Sequence, residues 1–180
     1  MNGRLRLVAI TGVIGAVAVA GTVAIAGGSR DIRERLTGYE EDPATISTTG
    51  KGSFRANLDK SGGKIHYRLR YADMEGDVTQ AHIHFGGRHQ SGGVSVFLCS
   101  NLTMPAPPPG TQPCPDSPAT ISGVIDADDV IGPVGQGILA GEFGELAAAI
   151  RAGVTYVNVH TDKYPAGEIR AQLDVDKDKR

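Results

Sequence analysis

The chain contains no tryptophan, only 5% aromatic residues, two cysteines and no excess of positive charge, and each shortage removes a class of protein. With 18 Lys and Arg against 20 Asp and Glu the formal net charge is -2, and loss of Arg4 and Arg6 with a leader would make it more acidic. Nucleic-acid binders ordinarily present a basic face, so nucleic acid is not an expected partner. Cys99 and Cys114 are too few and too far apart for a Cys-x-x-Cys redox or metal motif. No Gly-x-Ser-x-Gly nucleophile elbow occurs, no glycine-rich phosphate loop opens a helix, and no repeat reaches the length of a solenoid unit. What remains is 180 residues, 40% of them hydrophobic, with 25 Gly and 10 Pro: one turn-rich globular domain.

Long apolar runs are equally scarce, except at the amino end. There Arg4 and Arg6 precede an uncharged stretch over residues 7–26 that closes with Ala24-Ile25-Ala26, with an earlier small-residue triplet at Ala18-Val19-Ala20. A charged start, an apolar middle and small residues in an A-x-A arrangement predict an export signal over 1–26. The run also approaches the ~20 residues that span a bilayer, so an uncleaved anchor is the alternative. Either way the domain is expected to be secreted or extracytoplasmic, with the membrane a partner only if the leader is retained. No cysteine stands at the cleavage point, which excludes attachment of a lipid there. In an oxidising compartment Cys99 and Cys114 are expected to form a disulfide, across a loop stiffened by Pro105, Pro107, Pro108, Pro109 and Pro113.

Residues 27–35 are densely charged and are expected to be a linker, with the domain proper at 36–175 and a charged tail at 176–180. Within the domain, apolar residues recur with period two, the signature of half-buried strands. In 64–71, Ile65, Tyr67, Leu69 and Tyr71 alternate with His66, Arg68 and Arg70; in 79–85, Ala81, Ile83 and Phe85 alternate with Gln80, His82 and His84. Further strands are predicted at 53–58, 94–98, 119–125, 155–161 and 168–175. Residues 142–152 break the rhythm with an alanine-rich run that has Glu145 near its start, Arg151 near its end and Gly153 beyond, which predicts one helix. About seven short strands and a single helix give an all-β fold, an antiparallel β-sandwich or flattened barrel.

Three fragments carry a family likeness. Leu36-Thr37-Gly38-Tyr39-Glu40-Glu41-Asp42-Pro43 with Thr48-Thr49-Gly50-Lys51-Gly52-Ser53-Phe54 stands first, Ala81-His82-Ile83-His84 second, and Tyr156-Val157-Asn158-Val159-His160-Thr161 with Tyr164-Pro165-Ala166-Gly167-Glu168-Ile169-Arg170-Ala171-Gln172-Leu173 last. In this order they resemble the opening, AHIH motif and closing signature of the CHRD domain, abundant in bacterial exported proteins. The resemblance implies an extracellular β-sandwich module. Gly86-Gly87 after the AHIH motif and Ala171 depart from the residues the family commonly has there.

The candidate site follows from the histidines. On a strand, residues two apart share a face, so His82 and His84 project in parallel about 7 Å apart and can chelate one ion. His160 on another strand, with Glu168 opening the next, would complete three imidazoles and a carboxylate, a donor set for zinc or copper. A strand His-x-His on a sandwich also resembles copper–zinc superoxide dismutase, although no separate zinc-ligand cluster is evident here. The competing reading is a hydrogen-bonded network in which Asn158, Thr161, Glu168, Arg170 and Gln172 satisfy the imidazoles without an ion. His66 and His89 are expected at the surface, and Asp126, Asp128 and Asp129 lack the spacing of a calcium loop. The sequence therefore favours an exported binding or structural module, not an enzyme, with an extracellular protein or small ligand as partner. A copper or zinc metalloprotein with dismutase-like redox activity is the alternative.

Overall fold

The computed structural model describes residues 31–59 and 62–175. The leader and anchor readings at 1–26, residues 27–30 of the expected linker, and the tail at 176–180 lie outside the described residues. Eight strands form one sheet: β1 (Asp31–Thr37), β2 (Lys51–Leu58), β3 (Ile65–Ala72), β4 (Val78–Phe85), β5 (Gly93–Ser100), β6 (Ala119–Ile125), β7 (Thr155–Thr161) and β8 (Ile169–Leu173). Their spatial order is β5-β4-β7-β8-β1-β2-β3-β6, with every neighbouring pair antiparallel. The sheet curls into a nearly closed barrel, which is the flattened-barrel form of the expected all-β fold. Across the remaining seam, Tyr67 of β3 donates its hydroxyl to the Leu98 carbonyl of β5 at 3.2 Å, and Ile131 N donates to Ser95 O at 2.9 Å.

Period-two alternation decides which side chains fill the barrel. Ile65, Leu69, Ile83, Val96, Leu98, Val157, Val159, Ile169 and Leu173 face inward and are essentially inaccessible. The one α-helix among the described residues, α1 (Phe143–Arg151), adds Phe143, Leu146, Ala147 and Ile150 to the same core. Gly153, just past its end, has φ +69°, a left-handed conformation that ends the helix without a Cβ clash.

One expectation is overturned at the amino edge. Residues 31–35, expected to end a linker, belong to β1, which pairs with β2 along its whole length. Ile32, Glu34 and Leu36 are buried while Asp31, Arg33 and Arg35 are exposed. A buried carboxylate stands at the middle inward position, so the apolar alternation is interrupted and charge dominates the segment's appearance. The strand exists because Ile32 and Leu36 gain more from burial than the exposed charges lose.

Cys99 and Cys114 are joined, with Cα atoms 5.0 Å apart. The loop between them is braced by Asn101, whose Nδ2 donates to the Val78 and Cys114 carbonyls at 2.9 and 2.8 Å and whose Oδ1 accepts from Cys114 N at 2.9 Å.

Candidate metal centre

The outer face of β4, β7 and β8 is polar yet buried, because the segments before β2 and after β4 fold over it. Register places His82 opposite Asn158 and Phe97, His84 opposite Tyr156, and His160 opposite Gln80. The β4–β5 register slips between Ala81 and His82 and again between Ile83 and His84, and such bulges re-aim the side chains they carry. His82 and His84 share one face of β4 with His160 of β7 diagonal to His82, and the three imidazoles converge: each offers one nitrogen, and these nitrogens all lie within 4.8 Å of one another. His82 Nδ1 is 3.2 Å from His160 Nε2.

Backbone carbonyls fix two of the tautomers. His84 Nδ1 lies 2.8 Å from Gly92 O and His160 Nδ1 lies 3.0 Å from Pro165 O; a carbonyl only accepts, so both Nδ1 atoms carry the proton and both Nε2 atoms keep a lone pair. Such Nδ1–H to carbonyl bonds are the usual outer support of a metal-ligating histidine. The Nε2 atoms of His82 and His84 are buried without a hydrogen-bond partner. His160 Nε2 also lies 3.0 Å from Asn158 Oδ1, a meeting of two acceptors that is relieved by turning the amide or by a cation between them.

Ring packing holds these planes. His84 lies parallel on Tyr156, with centroids 4.7 Å apart and planes 6° apart, while the Arg170 guanidinium sits 3.5 Å from the centroid of the same phenol ring. Phe97 meets His82 edge-on at 4.4 Å. Burial, the largest influence on each, holds all three histidines neutral: His82 is pushed down to about 2, His160 down to about 4, and His84 below its ordinary value. Neutral imidazole is the form that ligates a metal.

Of the other residues expected at this site, Asn158 is in it, Arg170 and Gln172 hold the loop over it, and Thr161 and Glu168 turn away. Arg170 Nη2 donates to the Gly87 and Gln90 carbonyls at 3.1 and 3.0 Å, and Gln172 Nε2 donates to the Gly86 and Gly153 carbonyls at 3.0 and 2.8 Å, pinning the covering loop. Thr161 faces Glu168 and not the histidines. The expectation that Glu168 completes the donor set is corrected. Its Oε1 accepts from Thr48 Oγ1 at 2.6 Å and Glu75 N at 2.8 Å, and its Oε2 accepts from Thr161 Oγ1 at 2.8 Å, so both oxygens are committed to holding loops together. His66 and His89 are exposed, and Asp126 and Asp129 cap their own short 3-10 turn.

Glu41 is the residue that sequence reading passed over as a site residue. It is 7% exposed beside Asn158 and Arg170, and burial, only partly opposed by Arg170, raises its carboxyl to about 8. Gly167 makes room for it: φ is +135° there, and a Cβ would come 2.5 Å from Glu41 Oε2. No periodicity marks Glu41, which lies in a loop.

A family model for the CHRD domain matches residues 32–173. The chain belongs to the CHRD domain family. No curated protein and no solved structure matches it. The CHRD span opens inside β1 and closes at the end of β8, so β1 is part of the domain, and the histidines, Glu41 and Arg170 all fall within it.

Proposed function

We propose that this CHRD domain is an exported binding module that holds one zinc or copper ion on His82, His84 and His160. The convergence of three neutral, buried imidazoles, two of them turned inward by backbone carbonyls, carries this reading. The donor set fits: two nitrogens bound to one ion at about 2.0–2.1 Å and a tetrahedral angle stand roughly 3.3 Å apart, close to the 3.2 Å between His82 Nδ1 and His160 Nε2. The ligand nitrogen of His84 lies within 4.8 Å of the other two. Export is supported by the charged and apolar start of the sequence and by the Cys99–Cys114 pair.

A storage or scaffold role suits the site better than turnover. The three histidines are 2%, 8% and 6% exposed, which leaves little room for a substrate at an open coordination position. Among the described residues no second group of three ligating side chains accompanies it, so the dismutase-like reading lacks the second metal site of its analogue.

Metal analysis and thermal melts test the proposal. An ion that binds only the folded chain raises Tm by mass action, by about 2.7 kcal/mol of stability at a hundredfold excess over Kd. Zinc or copper should be retained at one equivalent per chain and should raise Tm of the native protein but not of His82→Ala/His160→Ala. Folded protein that takes up neither ion at micromolar concentration would falsify it.

A further inference from the structure

The outer face of β1, β2 and β3, on strands the histidines do not use, carries six cations in register. Arg33 stands directly opposite Arg55, which stands directly opposite Arg68; in the next row Arg35, Ser53, Arg70 and Thr120 align across four strands; Lys51 lies beyond them. All six cations are exposed. Among the described residues only two have a carboxylate in reach, Arg33 with Asp31 at 3.6 Å and Lys51 with Asp73 at 2.5 Å. Among the described residues Arg35, Arg55, Arg68 and Arg70 form no ion pair. Like charges directly opposite one another weaken a sheet, so folding by itself gives no reason for three arginines in one cross-strand row. The chain as a whole is acidic, which makes this concentration of positive charge a local feature and not a consequence of composition.

Shape and chemistry narrow the partner. A groove of about 670 Å³ crosses this face, lined by Arg35, Lys51 and Arg70 together with the hydroxyl-bearing Thr37, Ser53 and Thr120. Strands lie about 4.8 Å apart, so the cations recur every one or two strands, the interval at which an extended chain of acidic sugars repeats its charge. Guanidinium forks suit sulfate and carboxylate, and the hydroxyls suit sugar hydroxyls. Tyr71, the one aromatic residue lining the groove, is 2% exposed and points into the barrel, so no ring is available for stacking nucleic-acid bases.

We propose that this face binds a linear acidic polysaccharide, with Arg35, Arg55, Arg68 and Arg70 holding its anionic groups and Ser53 and Thr120 its hydroxyls. Binding is independent of the metal centre.

The full-length chain should be titrated with heparin, with polygalacturonate, with neutral dextran and with mixed-sequence single-stranded DNA. Heparin or polygalacturonate should bind, the stronger of the two identifying sulfate or carboxylate as the preferred group, and affinity should fall at least tenfold when salt rises from about 50 to about 200 mM. Arg55→Glu should weaken binding at least tenfold without lowering Tm, because it sets a carboxylate between Arg33 and Arg68 in the like-charge row, whereas His82→Ala should change it less than twofold. Absence of binding to both acidic polysaccharides at low salt, equal binding to dextran, tighter binding to DNA, or equal sensitivity to His82→Ala would each overturn the proposal.

Discussion

His82 Nδ1 and His160 Nε2 face each other at 3.2 Å although they come from strands β4 and β7 and are 78 positions apart in sequence. Neither is opposite the other in the ladder; the contact is the diagonal one between residues on the same face of β4 and β7, two positions off register. Burial above all keeps both neutral, and this has a direct consequence for acid stability.

In the metal-free protein, folded-state values depressed below the ordinary 6.5 mean that the histidines' contribution is fully present above about pH 6.5 and is lost as pH falls. For His160, held at about 4, the loss between pH 7.5 and pH 5 is about 2 kcal/mol. Urea midpoints at the two pH values should show the drop, and His160→Gln should remove that share of it.

Glu41 works in the opposite direction. A carboxyl raised to about 8 binds its proton more tightly in the folded chain, so stability is greatest below its ordinary 4.5 and declines as pH rises towards 8. Glu41→Gln, a neutral replacement of the same shape, should raise stability at pH 7 by about 1–3 kcal/mol and flatten the decline between pH 5 and pH 8. Chemical denaturation across that range is the measurement.

Glu168 separates the structural role from the ligating one. It is fully buried and accepts three hydrogen bonds, so Glu168→Gln should lower stability by about 1–3 kcal/mol. Equilibrium dialysis should meanwhile find metal uptake unchanged within twofold. A loss of uptake by folded Glu168→Gln would return this carboxylate to the donor set.

The Cys99–Cys114 bridge closes a loop with a sequence separation of 15, for which loop-entropy arithmetic gives about 3 kcal/mol. Five prolines and the Asn101 bonds already restrict that loop, so Cys99→Ser/Cys114→Ser should lose less, about 1–2 kcal/mol, by urea denaturation. Both sulfurs are buried, and reduction by dithiothreitol should be slow until denaturant is added.

Much of the barrel could be read from the chain because period-two alternation is local: Ile65 to Tyr71 and Ala81 to Phe85 declare their inward faces whatever surrounds them. The helix at 143–151 was legible for the same reason. Strand β1 was not, since Glu34 occupies an inward position and its neighbours are charged, so only pairing with β2 distinguishes it from a solvated linker. The histidines could be named from His82-Ile83-His84 and His160, yet their approach depends on strand order. Sequence placed Glu168 with them on the strength of its position after β7; its carboxylate instead turns to nearby Thr161 and to Thr48 and Glu75, which are distant in sequence.

Local chemistry thus determined which residues form strands, which pair of sulfurs can join, and which imidazoles are available. Tertiary structure alone decided what meets what: Glu41 beneath Arg170, Tyr156 under His84, and arginines from three strands in one row. Those outcomes depend on the register and order of strands far apart in the chain, and alternation within a strand specifies neither.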